Sequence, residues 1–462
     1  MTSRDTKSVR TDRVGGSYRD PSGFVFYSDG VLYRQINQRY REHYERLMKS
    51  GLYDSLTQAG LLISHHETSQ PTQTDDGYLV IQPDIIPFVS YPYEWCFGQL
   101  QAAAFTTLAL MKQALQHGLI LKDSSVYNIQ FKDSQPMCID SLSFEIYQPG
   151  QPWLAYRQFC EHFLGPLSVM AYRDVRLGQL LRVFLDGLPL DFVQRLLPVT
   201  SRFKLPLLTH IHAHASSQKR YQAKTVKTKS GNLSLRGLLA LVENLEAGIR
   251  SLRWQPPKTA WSDYQTNYSA RAKQSKQTIA AAFIEHVRPA TVWDFGANDG
   301  SYSRLASQAG AFTVAFDSDY VAVEKNYRSV VEHKEKNLLP LYLDLVNPTA
   351  PLGWHNDERL SLAQRGPVSL VMALALIHHL AIGHNLPFDL IARYFSDCGT
   401  WLIAEFIPKS DSNAQRLLAA REDIFQNYTQ KEFEQSFSKY YNIEQLRKID
   451  DSERVLYLMK KR

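Results

Sequence analysis

"VWDFGANDGSYSRLASQAG", residues 292–310, decides how the C-terminal half is read. The apolar run "ATVWDF" has strand character, and "SYSRLASQAG" has helical spacing that stops at Gly310. Between them Gly296 and Gly300 allow the backbone to approach a ligand closely, and the first N–H groups of the helix are left without partners. "FTVAFD" follows as a second strand and ends in Asp317, 23 residues after Asp294. Nucleotide-binding folds place a ribose-binding carboxylate at an interval of roughly 20 residues. Neither G-x-G-x-x-G nor a Gly-Lys-Ser/Thr ending is present, so no phosphate cradle is expected. The carboxylate of Asp294, leading the loop, repels a pyrophosphate and suits a cationic ligand without phosphate.

Downstream, "LYLDL" ends a third strand in Asp344, and "VSLVMALALIHHL" a fourth in His378-His379. "TWLIAEFI" is a fifth, ending near Glu405, and "YNIEQLRKI" with "RVLYLMKKR" makes a closing antiparallel pair. Helices alternate with these strands, which predicts a parallel sheet covered on both faces. "DFGANDG" and "AFDSD" resemble the first two motifs of class I S-adenosylmethionine-dependent methyltransferases. The resemblance covers about residues 260–462 and implies an α/β fold with a Rossmann-like, seven-stranded methyltransferase sheet. It also implies S-adenosyl-L-methionine as cofactor, with Asp294, Gly296, Ala297, Asn298 and Gly300 under its amino-acid moiety. Asp317 and Ser318 then take the ribose, Asp344 and Leu345 the adenine, and Ala373 completes the set. His378, His379 and Glu405, at the ends of the fourth and fifth strands, are the candidate catalytic groups, because a protonated acceptor needs a base.

A narrower similarity lies in "NPTAPLGWHNDERLSLAQR", "LALIHHLAIGHNLPFDLIARYF", "EFIPKSDSNAQRLLAAREDIFQNYT" and the upstream "WSDYQTNY". These resemble a bacterial methyltransferase family labelled nodulation-protein-like, a label that fixes no acceptor. They draw attention to Tyr264, Tyr268, Trp354, Glu358, Arg359 and Arg365 as a substrate wall.

The N-terminal half carries "GLILKDSSVYNIQF" and "PMCIDSLSF": an Asp, an Asn five residues later, and an Asp twelve after that. The spacing resembles the catalytic loop and metal-binding Asp of protein-kinase-like folds. On that resemblance Asp123 is the base position, and Asn128 and Asp140 are the metal positions. Departures are plain. Leu121 stands where the motif has His, Leu142 where it has Gly, no glycine-rich phosphate loop exists, and only Arg34 lies near the place of the phosphate-binding lysine. A binding or scaffolding module on that frame is expected in preference to phosphoryl transfer.

The chain has 462 residues, 44% hydrophobic, 12% aromatic and 21% charged, with a formal net charge of +6. A length of ~150 residues per domain suggests two or three domains. We expect a flexible N-terminus at 1–20, an α+β domain at 21–209, a basic linker and connecting helix at 210–257, and the methyltransferase domain at 258–462. The charge is too mild to signal nucleic acid. Cys96, Cys138, Cys160 and Cys398 show no ligand spacing and read as reduced thiols, so no metal is expected. With no signal peptide and no spanning segment visible, the protein is expected to be cytoplasmic, and the nodulation-protein-like resemblance implies a bacterial source. The leading expectation is an S-adenosylmethionine-dependent methyltransferase acting on an O or N acceptor, most simply a small molecule or glycan, with an N-terminal domain that binds or presents it. A bifunctional kinase-methyltransferase and a non-catalytic S-adenosylmethionine-binding protein are the alternatives.

Overall fold

The computed structural model describes residues 11–213, 233–257, 269–419 and 421–462. Two compact units divide the chain: Met1–Trp254 with Pro351–Arg359, and Gln255–Ala350 with Leu360–Arg462. Among the described residues all four cysteines are free and buried, and no helix is long and apolar enough to cross a membrane.

In the first unit β1 (Thr11–Arg13), β2 (Gly23–Ser28), β3 (Val31–Asn37), β4 (His65–Thr68) and β5 (Gly77–Pro83) form an antiparallel sheet in the order β1-β2-β3-β5-β4. β2 and β3 form a hairpin closed at Asp29-Gly30. Asp29 and Gly30 take φ of 49° and 79°, the paired left-handed geometry that matches strand twist. The apolar run "DIIPFVSYPYEW" after β5 forms no strand. Its prolines remove ladder donors, and a short 3-10 turn, Pro92–Glu94, stands there instead. The helix Phe97–Gln116 follows and ends before Gly118, whose φ of 74° closes it. Next come β6 (Leu119–Leu121), the hairpin of β7 (Ile129–Lys132) with β8 (Gln135–Cys138), and β9 (Phe144–Ile146), which pairs back antiparallel onto β6.

Two expected boundaries move. Residues 11–20, expected as a flexible lead, contribute β1 to the sheet, and Tyr18 and Arg19 both bond Glu358. The helix Leu235–Ser251, expected as a connector, belongs to the first unit and packs on Phe97–Gln116. There Gln101 donates to the Ile249 and Leu252 carbonyls, and Lys112 pairs with Glu246.

The second unit is built on β10 (Thr291–Phe295), β11 (Phe312–Asp317), β12 (Leu338–Tyr342), β13 (Val368–Ala373), β14 (Gly399–Phe406), β15 (Tyr441–Lys448) and β16 (Val455–Lys461). They lie in the order β12-β11-β10-β13-β14-β16-β15, parallel except for β16, which runs antiparallel to both β14 and β15. This is the Rossmann-like methyltransferase sheet. Its strands are nearly continuous apolar runs because both faces are covered. On one face the helix Ala270–Val287 sets Phe283 and Ile284 against Val292, Leu370, Met372, Ile403 and Leu458. On the other, Phe295 stacks on Phe395 of the helix Phe388–Cys398, with ring centroids 5.9 Å apart. Burying such side chains contributes about 1.5–3 kcal/mol each.

Candidate active site

The corner after β10 is a tight turn. Gly296, Asn298 and Gly300 take φ of 73°, 50° and 77°, so three residues within five are left-handed. The N–H groups of Gly296 and Ala297 both donate to the Phe316 carbonyl at 2.9 Å, which locks the turn to the end of β11. A Cβ at Gly300 would meet the Asn326 side chain at 2.5 Å, so that glycine is demanded by packing as well as by backbone conformation. The helix that follows, Ser303–Gln308, is only six residues long.

Two carboxylates face this turn. Asp294 is buried, accepts a 2.6 Å bond from the Ser303 hydroxyl, and is pushed by burial up to about 7, with Ser303 and Lys276 pulling the other way. Asp317 accepts from the Asn298 N–H at 2.7 Å and the Asp319 N–H at 2.8 Å. Burial pushes it up to about 6 in spite of those donors. One residue thus joins the two motifs the sequence reading paired. Ser318 beside it is exposed. Asp344 lies two residues beyond β12 and accepts from the Val346 N–H at 3.0 Å, with half-buried Leu345 between them. Tyr342, the last residue of β12, stacks on Tyr320 with centroids 4.0 Å apart. Ala373 ends β13, fully buried and paired with Ala404.

Beyond β13 the chain turns at Ala375, whose φ of 51° is left-handed without being glycine. Such a residue costs of order 1–3 kcal/mol and persists only where its surroundings fix it. Its N–H donates at 2.7 Å to Oε2 of Glu405, at the end of β14. Glu405 is fully buried. The same oxygen is 2.7 Å from Lys276 Nζ, and Oε1 is 3.5 Å from Arg454 Nη1. Arg454 in turn holds Asp411 through Nε at 2.7 Å and Nη2 at 2.9 Å. Three residues past the turn, the His378 and His379 rings lie 4.1 Å apart. His378 is buried, neither of its ring nitrogens has a hydrogen-bond partner among the described residues, and burial with neighbouring His379 holds it well below the usual range. His379 is half-buried, and burial with His384 brings it to about 4. Both rings are therefore neutral at pH 7.

The described residues expected as a substrate wall fall in both units. Tyr264 and Tyr268 lie outside the described residues. Trp354, Glu358 and Arg359 belong to the first unit. There Trp354 is 74% exposed, and Glu358 is buried. Burial opposes the ionisation of Glu358, but hydrogen bonds from Arg19 and Tyr18 hold it down to about 2. The Arg359 guanidinium lies 3.9 Å from the centroid of the Tyr127 ring. Arg365 sits in a short turn of the second unit, where its Nε donates to the Ser361 carbonyl.

In the first unit Asp123, Asn128 and Asp140 do come together. Asp123 accepts from the Ser125 N–H at 2.9 Å and is raised by burial and then by Asp140. Asn128 and Asp140 share the Ser143 hydroxyl, at 3.2 Å and 2.7 Å. Arg34, on β3, pairs with Asp140 at 2.6 Å, so a guanidinium stands where a metal ion would be needed. No group of three or more His, Cys, Asp or Glu able to hold a metal occurs among the described residues.

Sequence reasoning missed Lys276 and Arg454. Lys276 reads as one more polar position of an amphipathic helix, and only its burial between two strand ends marks it out.

No protein-family profile matches the chain. Nodulation protein NoeA of Rhizobium meliloti (strain 1021) is 34% identical to it over 465 residues, spanning 97% of this chain and 96% of that protein. The chain belongs to the NoeA family. Its similarity to NoeA runs through both units, so the two halves occur together in that relative. Solved structures similar to this NoeA relative include magnesium protoporphyrin IX methyltransferase (ChlM) of Synechocystis PCC 6803 with bound SAH, at 16% identity, covering 44% of this chain and 91% of that one, with a TM-score of 0.31. The N-methyltransferase NodS of Bradyrhizobium japonicum WM9 is similar at 6% identity, 42% and 98% coverage and a TM-score of 0.30. WbdD is similar at 15% identity, 41% and 39% coverage and a TM-score of 0.28.

Proposed function

We propose that the second unit is an S-adenosylmethionine-dependent methyltransferase acting on an O or N acceptor, and that the first unit binds or presents that acceptor. The observation that carries this reading is the bond from the Asn298 N–H to Asp317, which sets a raised carboxylate at the end of β11 against the glycine corner of β10. Two carboxylates at this corner suit a cationic ligand with ribose hydroxyls to donate. Asp317 would accept those hydroxyls, and Asp294 would set the charge beneath the amino-acid end. S-adenosylmethionine supplies an electrophilic methyl on a sulfonium, and aligning the nucleophile with it provides much of the acceleration. This chain's own task at the acceptor is to take a proton. We assign it to His379, the less buried of two neutral imidazoles, with His378 packed beside it. As the acceptor exchanged its proton for the methyl, S-adenosylmethionine being left as S-adenosylhomocysteine, His379 would hold that proton and pass it to solvent.

Titration calorimetry with S-adenosylhomocysteine on wild type and Asp317→Ala tests the cofactor reading. Tight binding by wild type and a loss of about ten- to a hundredfold in the variant are expected. No binding to wild type would overturn it.

A further inference from the structure

The network around Glu405 spans both sides of the site described above. Lys276 Nζ is 2.7 Å from Glu405 Oε2 and 4.6 Å from the centroid of the Tyr302 ring, and Tyr302 stands between Gly300 and the helix Ser303–Gln308. Oε2 of Glu405 also receives the N–H of Ala375, the left-handed residue three positions before His378. One buried ammonium therefore touches Tyr302, two residues past the glycine corner, and reaches the histidine turn through a single carboxylate oxygen. Arg454 fixes the other oxygen of that carboxylate, and Asp411 fixes Arg454.

We propose that Lys276 is a positioning residue that holds the Ala375 turn in its strained conformation through Glu405, and so sets His378 and His379 relative to the cofactor corner. Glu405 accordingly serves as the middle of a clamp and leaves proton transfer to the imidazoles. Two features argue for a clamp over a stabilising ion pair. A buried pair contributes little net stability against an apolar replacement. In addition, the carboxylate spends an oxygen on a backbone N–H whose residue pays a conformational cost for being there. The proposal rests on the methyltransferase reading only for the meaning of the histidines.

Hydrogen exchange by mass spectrometry on the full chain tests the clamp without ligand. Lys276→Met breaks one partner of a buried pair, so the double variant Lys276→Met/Glu405→Gln, which removes both charges, is the one to rely on if the single variant does not fold. In the folded variant, exchange across 374–380 is expected to accelerate at least about tenfold while β13, 368–373, keeps its protection. Adding Ala375→Gly, which relieves the left-handed cost, should restore slow exchange. The ring Cε1–H resonances of His378 and His379 should shift in the double variant and move back in the triple. Unchanged exchange at 374–380, or a rise spread equally over the second unit with no rescue by Ala375→Gly, would overturn the clamp and leave a structural ion pair. Wild-type protein that fails to bind S-adenosylhomocysteine would sink the methyltransferase reading and leave the clamp standing.

Discussion

At the scale of single residues, Asp294 and Asp317 bind a proton more tightly in the folded chain than an unfolded carboxyl does. Their contribution to stability is full below the usual carboxylate range and is lost as pH rises through about 6 for Asp317 and about 7 for Asp294. A ligand that needs both carboxylates ionised reverses the sign. The rise in melting temperature given by S-adenosylhomocysteine should therefore grow from pH 5 to pH 8, and Asp317→Asn should flatten that growth. A ligand-induced shift that is independent of pH would remove Asp317 from the contact. His379→Ala should lower turnover about a hundredfold or more and leave cofactor affinity nearly unchanged, whereas a base elsewhere would leave turnover alone. Asp317 was legible in the sequence because a strand end and a glycine corner are local patterns. Lys276 was not, since its partner Glu405 is 129 residues away and only tertiary packing joins them.

Short elements carry strain that no propensity scale displays. Ala375 occupies a conformation suited to glycine, so Ala375→Gly in an otherwise wild-type chain should stabilise the second unit by about 1 kcal/mol, read as a higher unfolding midpoint. Loss of stability would mean that the methyl group packs better than its backbone fits. In the first unit the hairpin of β2 and β3 and the helix Phe97–Gln116 were readable from turn residues and periodicity. The run after Pro83 has the apolar content of a strand, but its prolines forbid one. Arg34 on β3 gives the clearest expectation for that unit. Its ion pair with Asp140 takes up the carboxylate that a kinase-like reading would give to a metal, so millimolar Mg-ATP should leave the melting temperature unmoved. A rise of several degrees that Asp140→Asn abolishes would restore a nucleotide-binding reading of Asp123, Asn128 and Asp140.

Over the whole molecule, the alternation of strands and helices after Pro257 foretold a parallel sheet, because each apolar run of β10 to β14 ends in a turn or polar signal. The division of the chain was less legible. Composition marks a boundary near residue 257, yet nothing in it reports that Pro351–Arg359 belongs to the first unit. Two units with separate cores should unfold in two calorimetric steps. S-adenosylhomocysteine should raise one of them and leave the other in place. A single transition raised as a whole would mean that the two cores unfold as one.

Because the first unit takes nine residues from within the second, the halves are not a head-to-tail pair of cassettes. Cutting or recombining the chain at 254/255 would send Glu358 off with the C-terminal piece and leave Tyr18 and Arg19 behind as donors without their acceptor. Exchange of halves between relatives is thereby penalised in a way that an ordinary linker would never impose. A lineage carrying this arrangement should gain and lose both halves together.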